Sequence, residues 1–87
     1  MNQAVVYTKM TCHYCMQLKQ FLSMQQIPYH EVDVTNRPDI LQQVAGMTGS
    51  MSVPQTFLNG QAIVGFRPEE IMKVLEHLNK DENITVV

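Results

Sequence analysis

The chain carries two cysteines, Cys12 and Cys15, two residues apart in the stretch TKMTCHYC. A thiol pair so close can be half of a metal site, a crosslink or a redox centre. A closed zinc site needs four ligands, commonly a second Cys/His pair at similar spacing. The three histidines supply no such pair: His13 sits between the thiols, and His30 and His77 fall on separate predicted elements. As a crosslink the pair would close a very short loop and restrain the unfolded chain little. Redox chemistry fits better if Cys12 opens a helix. Unpaired N–H groups and the helix dipole would then stabilise a thiolate, and such sites lower a thiol pKa to about 3.5–7.5. Cys15, almost one turn on, could reach back. Cys12 is therefore expected to attack a substrate disulfide and Cys15 to resolve the mixed disulfide.

That chemistry requires a strand handing over to a helix at the cysteines. AVVYT, Ala4 to Thr8, is β-branched, aromatic and short, and predicts a buried strand. Cys15, Leu18, Phe21 and Leu22 then share a helical face, with Thr11 as the expected cap. A second strand is predicted over Tyr29–Val34. A second helix should be capped by Asn36, carry Asp39 in its first turn and end at Gly46 or Gly49. Ile40, Leu41, Val44 and Ala45 are its apolar face. Asn59-Gly60 between two apolar runs is a hairpin signal, so Gln55–Leu58 and Gln61–Val64 should pair. Pro68 opens a third helix with Ile71, Val74, Leu75 and Leu78 as its stripe. The expected order is β-α-β-α-β-β-α, an α/β fold with a four-stranded mixed sheet and three flanking helices.

The 87 residues suit one domain, taken as residues 1–80 with 81–87 as a tail. Ile84–Val87 reads as a frayed end or an added edge strand. Net charge is −2 with scattered basic residues, so no nucleic-acid footprint is expected. No apolar run reaches membrane-span length, and the N-terminus lacks a secretory pattern. A cytoplasmic monomer is expected.

With these elements in place, the chain resembles the glutaredoxins of the thioredoxin-fold superfamily, from about Val5 to Leu78. YTKMTCHYC is similar to the family's opening motif. TGSMSVPQTFLNGQAIVGF is similar to its second signature, in which Thr-Val-Pro precedes a hairpin and a glycine pair. The resemblance implies that Pro54 is a cis-proline facing the cysteines and that Val53 offers its backbone to an extended cysteinyl substrate such as glutathione. It also implies that Ser52 stands for the usual threonine, that Lys9 stabilises the thiolate or meets a glutathione carboxylate, and that Tyr14 flanks the resolving cysteine. Gly65, Phe66 and Arg67 would complete the substrate-binding set. No tightly bound cofactor is implied. Glutathione would be a co-substrate, and disulfide-containing proteins the substrates.

Several positions depart from the family pattern. His13 replaces a common proline. Phe66 fills a glycine position, and Arg67-Pro68-Glu69 replaces an acidic turn. The GFRP run resembles the NrdH-type redoxins, which donate electrons to ribonucleotide reductase and are generally reduced by thioredoxin reductase. A non-enzymatic alternative is a subunit-bridging [2Fe–2S] carrier; the intact Cys15 argues against it.

Individual residues also have plainer readings. Lys9 and Arg67 can be solvated surface cations, and Phe66 can be core packing. His13 is either an exposed bystander or a partly protonated neighbour that favours the Cys12 thiolate. The seven methionines are expected mostly as core filler, with Met10 and Met51 forming a soft rim around the two loops of the site.

Overall fold

The computed structural model describes residues 4–76. Strands β1 (Ala4–Thr8), β2 (Tyr29–Asp33), β3 (Gln55–Leu58) and β4 (Gln61–Val64) form one sheet in the order β2-β1-β3-β4. β1 pairs in parallel with β2 and antiparallel with β3, and β3 pairs antiparallel with β4. Helix α1 (His13–Met24) connects β1 to β2, and α2 (Pro38–Thr48) connects β2 to β3. The third helix, α3, begins at residue 68 and its described part runs to 76. This is the expected α/β architecture with a mixed sheet. Leu78, His77 and the tail at 81–87 lie outside the described residues.

Alternation on β1 sets the layers. Ala4, Val6 and Thr8 are buried, while Val5 and Tyr7 are only partly covered. Successive strand residues face opposite sides of the sheet. Ala4 and Val6 join Leu18 and Leu22 of α1, Leu58, Ile63, and Ile71 and Val74 of α3 in one apolar cluster. Phe21, Phe66 and Leu75 pack against it. The buried Leu41 and Val44 of α2 lie outside that cluster.

The hairpin forms as the Asn-Gly pair requires. Asn59 and Gly60 adopt φ of 52° and 77°, the left-handed values that two-residue hairpin turns need. α2 ends at Gly49, whose φ is 79°.

Two helix starts differ from expectation. The cap of α1 is Cys12, not Thr11: Cys12 has extended backbone (φ −89°, ψ 113°), and its own sulfur accepts the Cys15 N–H. The cap position of α2 is Arg37, not Asn36, and no side chain bonds there; Pro38 at the first turn has no N–H to satisfy. The methionines differ too. All six within the described residues are exposed, from 39% at Met72 to 81% at Met24, so none of them fills the core.

Candidate functional site

The site is assembled at the C-terminal end of β1. The chain leaves β1 at Thr8 and turns through Lys9–Thr11, where the Cys12 N–H donates to the Lys9 carbonyl at 3.2 Å. It then enters α1 with Cys12 as the cap. The Cys15 N–H donates to Cys12 Sγ at 3.1 Å. A cap side chain normally offers an oxygen to such a group; here a sulfur takes that place. α1 has no acidic residue in its first turn, so no carboxylate competes with a thiolate for the helix's positive end.

The two cysteines are joined, with Cα atoms 5.2 Å apart, and they are not equivalent. Cys12 is half-buried, whereas Cys15 is 1% exposed. The first cysteine is open to solvent and the second is not.

The second loop of the site comes from the turn between α2 and β3. The Val53–Pro54 peptide bond is cis. Cys12 Sγ lies 3.8 Å from the Val53 carbonyl, a contact that spans 41 positions of sequence. The Pro54 carbonyl accepts the Gly65 N–H at 2.8 Å, tying the loop to the end of the hairpin. Val53, by contrast, makes no backbone hydrogen bond to another described residue. Its C=O lies on the side where Cys12 stands.

Tyr14, Val53, Pro54, Gly65 and Phe66 line a shallow cleft of about 270 Å³. Five of the expected binding residues thus come together. Phe66 serves two surfaces, because its ring also meets Phe21 edge-on with centroids 6.2 Å apart. Gly65 has a φ of 93°, a conformation that favours glycine. Ser52 is exposed, and its carbonyl is held by the Gln55 side chain at 2.9 Å.

Lys9 and Arg67 are placed differently. Lys9 is exposed, and its side chain makes no hydrogen bond or ion pair to another described residue. Arg67 pairs with Glu70 at 2.9 Å, in a separate concavity with Pro68 and Glu69. His13 is exposed, and its Nε2 lies 3.2 Å from the Gln17 side-chain amide. It faces along α1, where its ring also stacks edge-on near Tyr14.

A larger cleft of about 690 Å³ lies between α1 and β2, lined by residues such as Met16, Lys19, Tyr29 and Glu31. It contains no thiol, so here volume does not locate the chemistry. Glu31 in that cleft accepts from Thr8 Oγ1 at 2.7 Å and from Lys19 Nζ at 3.0 Å. The Thr8 hydroxyl does most to hold its carboxyl below the ordinary range; burial opposes it, and the weaker hydrogen bond and charge of Lys19 add to the lowering.

Two supports escaped the sequence reading. Met10 N–H donates to Thr35 Oγ1 at 2.8 Å, and that hydroxyl donates to Asp33 Oδ1 at 2.6 Å. This ties the turn before Cys12 to the end of β2, and the Thr35 side-chain and backbone bonds lower the Asp33 pKa. Asp33-Val34-Thr35 is an Asx-type spacing and was visible as such. The other is Gln55, fully buried and bonded to the loop before it.

A family model described as Glutaredoxin matches residues 4–63. The glutaredoxin-like protein NrdH of Lactococcus lactis subsp. cremoris is 32% identical over 69 residues, 79% of this chain and 94% of that protein. A glutaredoxin of Pseudomonas aeruginosa is 32% identical over 65 residues, 75% of this chain and 76% of that protein. In three dimensions, a glutaredoxin of Archaeoglobus fulgidus superposes with a TM-score of 0.76 at 20% identity, covering 86% and 87% of the two chains. That last similarity speaks to the fold.

Proposed function

The chain belongs to the glutaredoxin family, and from that premise we propose that it is a dithiol thiol–disulfide oxidoreductase acting through Cys12 and Cys15. The unequal burial of the two cysteines carries the proposal, since Cys12 is the one open to solvent. In the reduced protein, the Cys12 thiolate attacks one sulfur of a substrate disulfide. A mixed disulfide forms and one substrate thiolate leaves, taking up a proton. Cys15, deprotonated, attacks Cys12 Sγ, closes the Cys12–Cys15 bond and expels the second substrate thiolate. Two electrons pass to the substrate. The Cys15 N–H and the free end of α1 stabilise the Cys12 thiolate. The Val53 backbone pairs with the extended chain around the substrate cysteine, and Tyr14, Pro54, Gly65 and Phe66 form the walls. Ser52, next to Val53 in the chain, and the exposed Lys9, three residues before Cys12, are the further residues proposed to meet the substrate.

Glutathione is the co-substrate in this reading, with mixed disulfides of proteins or glutathione as the oxidised partner. A second reading is a NrdH-like electron donor to ribonucleotide reductase, reduced by thioredoxin reductase. It is favoured by the turn at Gly65–Pro68. Arg67 is engaged with Glu70, and Phe66 packs on Phe21, and Gly65–Pro68 itself carries no carboxylate for a γ-glutamyl amine. NADPH-coupled disulfide reduction separates the two readings when run once with glutathione and glutathione reductase and once with thioredoxin reductase. Turnover with glutathione supports the first, and turnover with thioredoxin reductase alone supports the second. No turnover in either system, from protein whose thiols titrate normally, would rule out both.

A further inference from the structure

We propose that Gln55 is a positioning residue that holds Val53 in register for the substrate backbone. This rests on the oxidoreductase reading above and extends it to a residue that touches neither sulfur.

Gln55 opens the central strand β3 and pairs with Tyr7 on one side and Val64 on the other. Its Cα is therefore fixed by two neighbouring strands. Its side chain is 0% exposed, and a glutamine is rarely buried so fully without a task for its amide. The amide nitrogen donates to the Ser50 carbonyl at 2.7 Å and the Ser52 carbonyl at 2.9 Å. Two carbonyl acceptors require the NH2 end of the amide, so the opposite orientation would set oxygen against oxygen. The other end, Oε1, is buried with no hydrogen-bond partner among the described residues. An unpaired buried acceptor is costly, which makes the two donated bonds the reason for an amide here.

These bonds act on the loop that carries Val53. Ser50 follows the α2 cap Gly49, and its N–H donates to Thr48 Oγ1 at 3.2 Å. Ser52 N–H donates to Ser50 Oγ at 3.1 Å. Gln55 thus clamps the loop from inside, with both carbonyls turned toward the strand. The next residue, Val53, is left with its backbone toward Cys12, 3.8 Å from the sulfur. Without the clamp, the Ser50 carbonyl keeps only the longer bond from Thr48 Oγ1 at 3.3 Å, the Ser52 carbonyl must find another donor, and the simplest route is rotation of the loop toward water. Val53 would then leave the line that a substrate strand must match.

The test compares Gln55→Met, which keeps length and apolar volume but removes the donors, with the unaltered chain on two oxidants. One is a cysteinyl peptide disulfide, which needs backbone pairing; the other is a small aromatic disulfide, which has no peptide backbone. The expected result is a KM for the peptide disulfide raised about tenfold, which corresponds to about 1.4 kcal/mol. Reduction of the small disulfide should stay within about twofold. Gln55→Glu adds a second readout. An ionised carboxylate cannot donate, whereas its protonated form can supply one bond. Its peptide KM, taken relative to the unaltered chain at each pH, should therefore improve as pH falls. Equal KM values for Gln55→Met and the unaltered chain would overturn the proposal. So would a parallel loss on both oxidants, which marks general damage, including failure of the variant to fold. Inactivity of the unaltered chain on both oxidants would instead overturn the oxidoreductase reading.

Discussion

The N-termini of α1 and α2 face the same physical problem and meet it differently. Each presents unbonded N–H groups and a positive end. At α2, Pro38 removes one donor, Asp39 places a carboxylate in the first turn, and no side chain bonds the end at Arg37. That end is neutralised for stability. At α1, the first turn has no acidic residue, and the sulfur of Cys12 occupies the cap. Its positive end is left for a charge that exists only while Cys12 is a thiolate. Helix termini can serve stability or chemistry, and the choice lies in whether a permanent anion is present.

The largest effect should come from removing the sulfur. Cys12→Ser keeps a capping oxygen and should abolish disulfide reduction in the coupled assay. Cys12→Ala should be equally inactive and, compared with Cys12→Ser in denaturant unfolding, less stable by about 1 kcal/mol. Equal stability of the two would mean that the cap bond contributes nothing.

Next comes His13→Asp, which gives α1 the permanent carboxylate that α2 already has. A charge near a helix end is worth about 0.3–1 kcal/mol, so the Cys12 thiol pKa should rise by a few tenths of a unit. Thiolate absorbance during a pH titration measures it. His13→Ala separates the histidine's own contribution from that of the added acid. No rise in His13→Asp would break the contrast between the two helices.

Asp39→Asn is the converse change and should be smaller in its consequences. Stability should fall by at most about 1 kcal/mol, with the Cys12 titration unmoved. A shift in that titration would show that the two helix ends are not independent.

The smallest effect concerns a carboxylate away from both ends. Glu31 is held below the ordinary carboxylate range by Thr8, then Lys19. Its stabilising contribution is complete above about 4.3, the unfolded value, and is lost as pH falls from there through the lower folded value. Glu31→Gln should flatten that acid-side slope in unfolding measurements and leave disulfide reduction at neutral pH unchanged.

Much of this was readable along the chain. Strand β1 and the Asn59-Gly60 hairpin appear where β-branched composition and turn chemistry put them, because both signals are local. The helices α1 and α2 were also legible from their spacing. Their N-terminal caps were not: capping depends on which residue leaves the extended region, and a sulfur is not ordinarily counted among capping atoms. The methionines were misjudged for a related reason. Met is apolar and a good helix former wherever it falls, but burial on α1 belongs to Cys15, Leu18 and Leu22, and Met16 and Met24 lie off that stripe. Phe66 could be read as core or as site, and it lies at both.

The cysteine pair, its nearness to a helix start and the order of the elements follow from types and spacings a few residues long, because propensity, periodicity and turn preference act over that range. The partner of Cys12 and the purpose of Gln55 do not. Val53 lies 41 positions from Cys12, and Gln55 is a buried residue on a strand flanked by two others. Contacts of this kind exist only once the sheet has closed and the loop after α2 has been laid across its end. No spacing within the chain encodes them.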